Sequence, residues 1–340
     1  MANDVLVSFG SEGQEIHYAV QNSDLAGDFG LGGEIVAAGS IPQNVSGGAF
    51  GPADPLIDEA YTTISSYDEA FRFVAAGWNI VKNINVKASG DESILFIADN
   101  FVHADMDFSE VTNDVHLKVF DGKRGNYVTG EGNDTVELTT ATNSGYWSNT
   151  HKIMTGEGDD IVLIDNGDSD IVHTTIVNFT DGRFTIVEAD LEEGDDVFGS
   201  DNDVKTMDIV DGGKGNDTID TGYGEDIIEG GEDRGVIVQD DDALYTLLAH
   251  GDVLAGGEDA DTFIYTSGDG FGYIGDGFDH ILDFADEDVL VMNLQAGDVV
   301  DTEIATVQTI NGDLTGAIVT VNGEAAVFLE DFTNTSEIFV

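Results

Sequence analysis

The stretch that decides the fold runs from Asp211 to Gly231 and reads DGGKGNDTIDTGYGEDIIEGG. From Gly212 the chain contains three nonamers in register, GGKGNDTID, TGYGEDIIE and GGEDRGVIV, the last of which ends at Val238. Their frame is a small residue, Gly, any residue, Gly, any residue, Asp, any residue, an apolar residue and any residue. A fixed short period of this kind predicts a repeat architecture.

The same frame returns elsewhere in the chain. The further copies are TGEGNDTVE from Thr129, TGEGDDIVL from Thr155, LEEGDDVFG from Leu191 and GGEDADTFI from Gly256. The sixth-position aspartates of different copies lie multiples of nine residues apart in several cases, although Asp134 and Asp160 are 26 residues apart. Insertions therefore interrupt the period without destroying it.

Each nonamer divides into a turn and a short strand. Six residues rich in Gly and Asp favour a turn, and the last three surround one apolar position. These apolar positions are Val136, Val162, Ile219, Ile228 and Phe263. One apolar residue in nine forms no core alone, but stacked coils of 18 residues would align them. The repeat therefore predicts a parallel β-roll.

The flanking segments carry other signals. Residues 79–128 alternate apolar runs with Gly, Asp and Asn, which predicts a parallel β-helix leading into the roll. A capping box at Ser66 and Glu69, with Gly77 after an apolar face, predicts a helix. The segment DDALYTLLAHG, residues 241–251, is a second helix candidate, because Leu244, Leu247 and Leu248 share a helical face.

The C-terminal segment predicts antiparallel strands. Asn311-Gly312 and Asn322-Gly323 are hairpin signals between apolar runs. The fold class is therefore all-β, a right-handed parallel β-helix and β-roll solenoid with a helix-containing N-terminal cap and an antiparallel C-terminal cap. The predicted segments are an N-terminal region, a β-helix, a β-roll and a C-terminal cap with secretion signal, at 1–78, 79–128, 129–292 and 293–340.

Charge and composition exclude several classes of partner. The chain has 68 acidic and 11 basic residues, a formal net charge of -57, and no cysteine. This charge repels nucleic acid and anionic membranes, and no apolar stretch has the length of a membrane span. The N-terminus lacks the basic and apolar regions of a secretory signal, which alone indicates the cytoplasm. A chain without disulfides needs another source of stability outside the cell, and bound metal is one.

The repeated residues point to calcium as that metal. Calcium takes six to eight oxygen ligands from carboxylates and backbone carbonyls, whereas zinc prefers Cys and His and magnesium resists an all-protein cage. The turns of neighbouring coils would form two sides of one site, so several calcium ions are expected. The candidate ligand positions are the frame's glycines and aspartates: Gly130, Gly132, Asp134, Gly156, Gly158, Asp160, Gly194, Asp196, Gly213, Gly215, Asp217, Gly222, Gly224, Asp226, Gly231, Gly257, Asp261, Gly277 and Asp279.

With these nonamers the chain resembles the repeats-in-toxin, or hemolysin-type, calcium-binding proteins. The resemblance covers about residues 120–292. It implies export by the type I secretion apparatus, folding outside the cell in millimolar calcium, and an uncleaved C-terminal signal, to which SEIFV at 336–340 is similar. Two departures reduce the expected number of sites: Gly235 stands where the third tandem repeat needs Asp, and Leu191 and Glu192 replace another repeat's leading pair.

Catalytic motifs are not found. The sequence has no His-Glu-x-x-His, no Gly-x-Ser-x-Gly, no P-loop and no EF-hand. Its seven histidines are dispersed, which favours solvated or packing roles. His103, Asp105 and Asp107 would share one face of a strand, and a polar outer face is the simpler interpretation of them.

We therefore predict a noncatalytic, secreted, calcium-binding structural protein of the cell surface or extracellular matrix that self-associates into a layer, fibre or biofilm. An adhesin for surface polysaccharide, with Trp78 and Trp147 stacking on sugar rings, is a second hypothesis. A polysaccharide-modifying enzyme is a third, which would need convergent carboxylates outside the nonamer frame.

Overall fold

The structure is a computed structural model that describes residues 4–11, 14–20, 69–74, 83–99, 103–122, 124–140, 149–165, 185–200, 206–233, 235–239, 245–249, 251–267, 277–335 and 338–339. Strands and their connections make up these ranges, and none of them contains a helix. In these residues no helix is long and apolar enough to cross a membrane. The chain forms two compact units, Met1–Thr185 and Ile186–Val340.

The strands of the first unit belong to two sheets. They are β1 (Asp4–Ser11), β2 (Gln14–Val20), β3 (Glu69–Val74), β4 (Asn83–Gly90), β5 (Ile94–Asp99), β6 (His103–Val111), β7 (Val115–Gly122), β8 (Gly125–Val128), β9 (Thr135–Thr140), β10 (Asn149–Met154) and β11 (Ile161–Asp165). One sheet has the order β2-β1-β4-β6-β8-β10, parallel from β4 onward, with β1 antiparallel to β2 and β4. The other, β3-β5-β7-β9-β11, is parallel throughout. From β3 to β11 the chain therefore alternates between two parallel sheets.

The second unit also has two sheets. Its strands are β12 (Thr185–Asp190), β13 (Val197–Ser200), β14 (Thr206–Asp211), β15 (Thr218–Asp220), β16 (Ile227–Glu229), β17 (Val236–Gln239), β18 (Tyr245–Ala249), β19 (Val253–Ala255), β20 (Thr262–Thr266), β21 (Asp279–Ile281), β22 (Val289–Asn293), β23 (Val300–Thr309), β24 (Gly312–Val321) and β25 (Glu324–Glu330). One sheet is β12-β14-β16-β20-β22, in which β14 to β22 are parallel. The other is β13-β15-β19-β21-β25-β24-β23-β18-β17, parallel from β13 to β25.

The apolar eighth residue lies in the interior in six of the seven nonamers, as its spacing predicts, and Ile237 of the third tandem nonamer is partly buried. Val136 pairs with Val162, and Ile228 pairs with Phe263 in the next strand of its own sheet. Full burial of such a side chain contributes about 1.5–3 kcal/mol. These residues are at most 1% exposed: Val136, Val162, Phe198, Ile219, Ile228 and Phe263.

Both helix predictions are wrong in the described residues. Glu69 to Val74 form β3, which pairs in parallel with β5, and Tyr245 to Ala249 form β18. In β18 Tyr245 and Leu247 are buried while Leu248 is 63% exposed, which is the two-residue period of a strand. Windows this short fit both periods, and pairing with a neighbouring strand decides between them. The rest of the predicted helices, including Ser66, Gly77 and Leu244, lies outside the described residues, as do Trp78 and Trp147.

The predicted C-terminal hairpins are confirmed. Strands β23, β24 and β25 are antiparallel neighbours. Asn322-Gly323 is the turn between β24 and β25, whereas the turn between β23 and β24 is Ile310-Asn311, and Gly312 is the first residue of β24. Asn322 and Gly323 both have positive φ, 56° and 86°, as a two-residue hairpin turn requires. This meander extends the second unit's parallel sheet, since β25 also pairs with β21. The chain end lies against the other sheet: Ile338 is fully buried, and its carbonyl accepts a hydrogen bond from the Leu290 N–H at 3.2 Å.

Candidate metal sites

The glycines of the frame allow neighbouring turns to stack in direct backbone contact. Gly158 and Gly215 both have positive φ. A Cβ atom on Gly158 would overlap the carbonyl oxygen of Gly132, and one on Gly215 would overlap that of Gly194. These glycines are therefore required for stacking, whether or not a cation is bound. The predicted glycines with left-handed φ are Gly132, Gly156, Gly158, Gly213, Gly215, Gly222, Gly231, Gly257 and Gly277.

The sixth-position aspartates lie in the interior, each next to the start of a strand. Asp134, Asp160, Asp196, Asp217, Asp226, Asp261 and Asp279 are each 1% exposed. Seven carboxylates at that burial are unusual, because acidic residues are almost never fully buried unless they are paired.

One oxygen of these carboxylates joins neighbouring coils. The Asp217 Oδ1 accepts the Asp196 N–H at 2.8 Å, and the Asp217 N–H in turn donates to the Asp252 Oδ1 at 2.8 Å. In the first unit the Asp134 N–H donates to the Asp160 Oδ1 at 2.7 Å. We call such a row of linked carboxylates an aspartate file. In each step the carboxylate of a later coil satisfies a buried N–H of an earlier one.

The opposite sheet of the second unit has its own aspartate file. The N–H groups of Asp208, Asp226 and Asp261 donate to the Oδ1 atoms of Asp226, Asp261 and Asp288, at 2.8, 3.0 and 3.0 Å. Three members of the two files, Asp208, Asp252 and Asp288, lie outside the glycine frame and were missed in the sequence. The available signal was spacing, since Asp208 precedes Asp217 by nine residues, Asp252 precedes Asp261 by nine, and Asp288 follows Asp279 by nine.

The fifth position of the nonamer links the coils in the other direction. The Asn133 N–H donates to the Asp114 Oδ1 at 3.0 Å, and the Asp159 N–H donates to the Asn133 Oδ1 at 3.3 Å. The Asn216 N–H donates likewise to the Asp195 Oδ1 at 2.9 Å. Here the side chain of an earlier coil satisfies the N–H of a later one. The Asn-Asp and Asp-Asp pairs of the frame therefore connect each coil to both neighbours.

The second carboxylate oxygen differs among these residues. It is hydrogen-bonded at two of them, since the Asp134 Oδ2 accepts the Gly130 N–H at 3.2 Å and the Asp288 Oδ2 accepts the Ala285 N–H at 2.7 Å. The Oδ2 atoms of Asp217, Asp226 and Asp261 and the Oδ1 atom of Asp208 are buried and have no hydrogen-bond partner among the described residues. The Thr221 hydroxyl, which lies beside Asp226, donates to the carbonyls of Ala255 and Gly256 instead. Each of these carboxylates therefore carries a lone oxygen directed into the protein.

Burial raises the pKa of these carboxyl groups. The pKa of Asp217 rises to about 8, although the hydrogen bond from the Asp196 backbone opposes the rise. The pKa values of Asp208, Asp226 and Asp261 rise to about 7, again through burial, and hydrogen bonds oppose the rise at each. Without a cation the charged form is thus disfavoured at neutral pH.

No protein-family model and no curated protein matches this chain.

Three aspartates of the second unit place their carboxylate oxygens close to one another. Asp233, Asp252 and Asp279 each offer a carboxylate oxygen within 4.8 Å of the others, and all three are buried. Asp233 stands at the fourth position of the tandem repeat whose sixth position is Gly235. Its Oδ1 accepts the Gly235 N–H at 2.7 Å, and its Oδ2 accepts the Asp252 N–H at 3.1 Å. The repeat that lacks the sixth-position Asp thus supplies a carboxylate from two residues earlier, which the sequence prediction missed.

Compensating positive charge is scarce in the second unit. Residues 186–340 hold 39 of the 68 acidic residues and 3 of the 11 Lys and Arg residues. Lys214, the one of these three within the described ranges, forms an exposed ion pair with Glu193.

The histidines whose side chains the structure describes, His103, His116, His151 and His280, lie in the interior or on the surface of the sheets. His151 is fully buried, stacks on Tyr127 with ring centroids 6.0 Å apart, and has its pKa lowered to about 4 by burial. His103, Asp105 and Asp107 share the outer face of β6, as predicted, since Ala104 and Met106 between them are buried. On that face the Asp105 Oδ1 accepts the Asn126 Nδ2–H at 2.7 Å and lies 3.1 Å from the His103 Nε2. These contacts suit a solvated polar face.

Proposed function

We propose that this protein is a secreted, noncatalytic calcium-binding structural protein of the repeats-in-toxin type. Its parallel sheets form a right-handed β-helix and β-roll solenoid, which the antiparallel C-terminal strands close. The observation that carries the proposal is the lone second oxygen of the buried carboxylates, seen at Asp217, Asp226 and Asp261. A structural role in joining coils accounts for the first oxygen but leaves the second one unexplained.

A cation is the partner that fits these oxygens. A buried carboxylate that lacks a positive partner is strongly unfavourable, and an amide or apolar residue would avoid that cost. Carboxylate and carbonyl oxygens are the ligands of calcium, and the chain has no cysteine that would favour zinc. The residues proposed to hold the ions are the file aspartates and the turn carbonyls beside them.

Calcium binding would then control folding. Free calcium at ten times the dissociation constant adds about 1.4 kcal/mol per site, and several sites together match the stability of an ordinary domain. Where free calcium is scarce, repulsion among the acidic residues favours the open chain. Such gating suits a chain exported unfolded through the type I secretion apparatus, and the folded solenoid would then self-associate at the cell surface or in the matrix.

Chelation tests this proposal on the full chain. In millimolar calcium we expect a far-ultraviolet circular dichroism spectrum of β-sheet, and in excess chelator we expect that signal to be lost from the repeats. Magnesium at the same concentration is the control and should not restore the spectrum, because it dehydrates reluctantly. A β-sheet spectrum that is identical in calcium and in chelator would overturn calcium-gated folding.

A further inference from the structure

Asp208 is the first member of one aspartate file among the described residues. It lies in β14 and is fully buried, and its Oδ1, the atom that accepts a backbone N–H at Asp226 and Asp261, has no hydrogen-bond partner in the described part of the chain. Its own N–H is satisfied by the Asp226 Oδ1 at 2.8 Å, which any residue type except proline would allow at position 208. Within the described residues the Asp208 carboxylate is therefore not needed to link the file.

Further oxygen atoms surround this carboxylate. The Thr206 Oγ1 donates to the Asp208 Oδ2 at 3.1 Å and lies 3.5 Å from the Ser200 Oγ, and both hydroxyl residues are buried. A Cβ atom on Gly224 would overlap the Thr206 carbonyl oxygen and would lie next to the Asp226 carboxylate. Ser200, Thr206, Asp208 and Asp226 thus place hydroxyl, carbonyl and carboxylate oxygens together at one end of the file.

We infer that these four residues form an additional calcium site, one coil before the glycine turn that ends at Asp226. The two carboxylates supply two negative charges, which match a divalent cation, and the hydroxyls and the Thr206 carbonyl supply neutral oxygens. This site differs from the nonamer turns because the six residues that end at Asp208, 203–208, contain no glycine. The inference rests on the proposed function, since it extends the file of calcium sites.

Calcium counting on the full chain tests the inference. In calcium-saturated protein freed of unbound metal, Asp208→Asn should bind one calcium ion fewer than wild type, with the other ions retained. Thr206→Val keeps the side-chain shape and the carboxylates but removes one hydroxyl, so it should weaken one ion about tenfold. Asp301→Asn, at an exposed position in β23, is the matched control and should change neither number.

The outcomes separate this site from the wider proposal. If wild type binds calcium and both Asp208→Asn and Thr206→Val bind as many ions with unchanged affinity, the additional site does not exist. If wild type binds no calcium, the proposed function fails and this site fails with it. Should Asp208→Asn not fold, Thr206→Val decides alone, and an unchanged calcium affinity in that variant overturns the inference.

Discussion

Gly215→Ala is expected to unfold the repeats of the second unit, whereas Gly297→Ala should leave them folded. Both glycines have positive φ, 146° and 110°, so both substitutions introduce backbone strain of about 1–3 kcal/mol. The two positions differ in the room that they leave for a Cβ atom. A Cβ atom on Gly215 would overlap the Gly194 carbonyl oxygen, whereas one on Gly297 would have nothing within 4 Å. The overlap separates two stacked turns and should raise the total loss to roughly 4 kcal/mol or more.

Urea unfolding in saturating calcium measures this difference. We expect a large fall in the urea midpoint of unfolding for Gly215→Ala and a small fall for Gly297→Ala. Equal falls in the midpoint of the two variants would mean that positive φ alone makes glycine necessary at these positions. The direct contact between the turns would then play no part in stability.

Asp217→Asn is expected to have opposite effects with and without calcium. The amide keeps an oxygen that can accept the Asp196 N–H, so the link between coils survives. With calcium bound, the variant loses a charged ligand and should be less stable than wild type. Without calcium, the wild-type carboxyl group must bind a proton or remain charged in the interior, and both cost stability at neutral pH, so the variant should be more stable.

The pH dependence of stability shows why Asp217→Asn should stabilise the calcium-free chain. Burial raises the pKa of Asp217 to about 8 from an ordinary value of 3.8, so the folded calcium-free chain holds this proton more tightly than the unfolded chain. Its stability therefore falls as the pH rises from about 4 to about 8, by an amount of the order of 2–4 kcal/mol at neutral pH. Asparagine does not titrate, so the variant should lack this loss.

Two titrations measure the reversal. In calcium, urea unfolding should give Asp217→Asn a lower midpoint than wild type. In chelator, folding induced by the osmolyte trimethylamine oxide should need less osmolyte for the variant than for wild type. Asp301→Asn should change neither midpoint. A shift of Asp217→Asn in the same direction in both titrations would show that its carboxylate is not a cation ligand.

The strongly periodic features were readable from the sequence. The apolar residue is buried in six of the seven nonamers, and a hairpin turn lies at or next to each Asn-Gly pair, because both features depend on residues close together in the chain. The sixth-position aspartates are buried, which their pattern did not predict, and their role as calcium ligands stays a prediction. The predicted helices failed because a six-residue window fits a helix or a strand until its neighbouring strand is known.

The features that the sequence prediction missed depend on which coils are neighbours in the fold. Ile219 pairs with Leu254, 35 residues later, because β17 and β18 are inserted between β16 and β19. Asp233 takes the place of a carboxylate at Gly235 only because the chain folds back against Asp252 there. The role of the first carboxylate oxygen in accepting N–H groups was also not visible in one repeat, because it links two coils. A frame defined by glycines therefore finds the turns but not all members of the files.

The most direct measurement of the central claim is a count of calcium on the folded chain. Full-length protein would be saturated with calcium, freed of unbound metal and analysed by native mass spectrometry and elemental analysis, and then again after treatment with chelator. We expect several calcium ions on each folded chain. Chelator should remove these ions, and the β-sheet circular dichroism signal should be lost with them. A fully folded chain that carries no calcium would contradict the central claim.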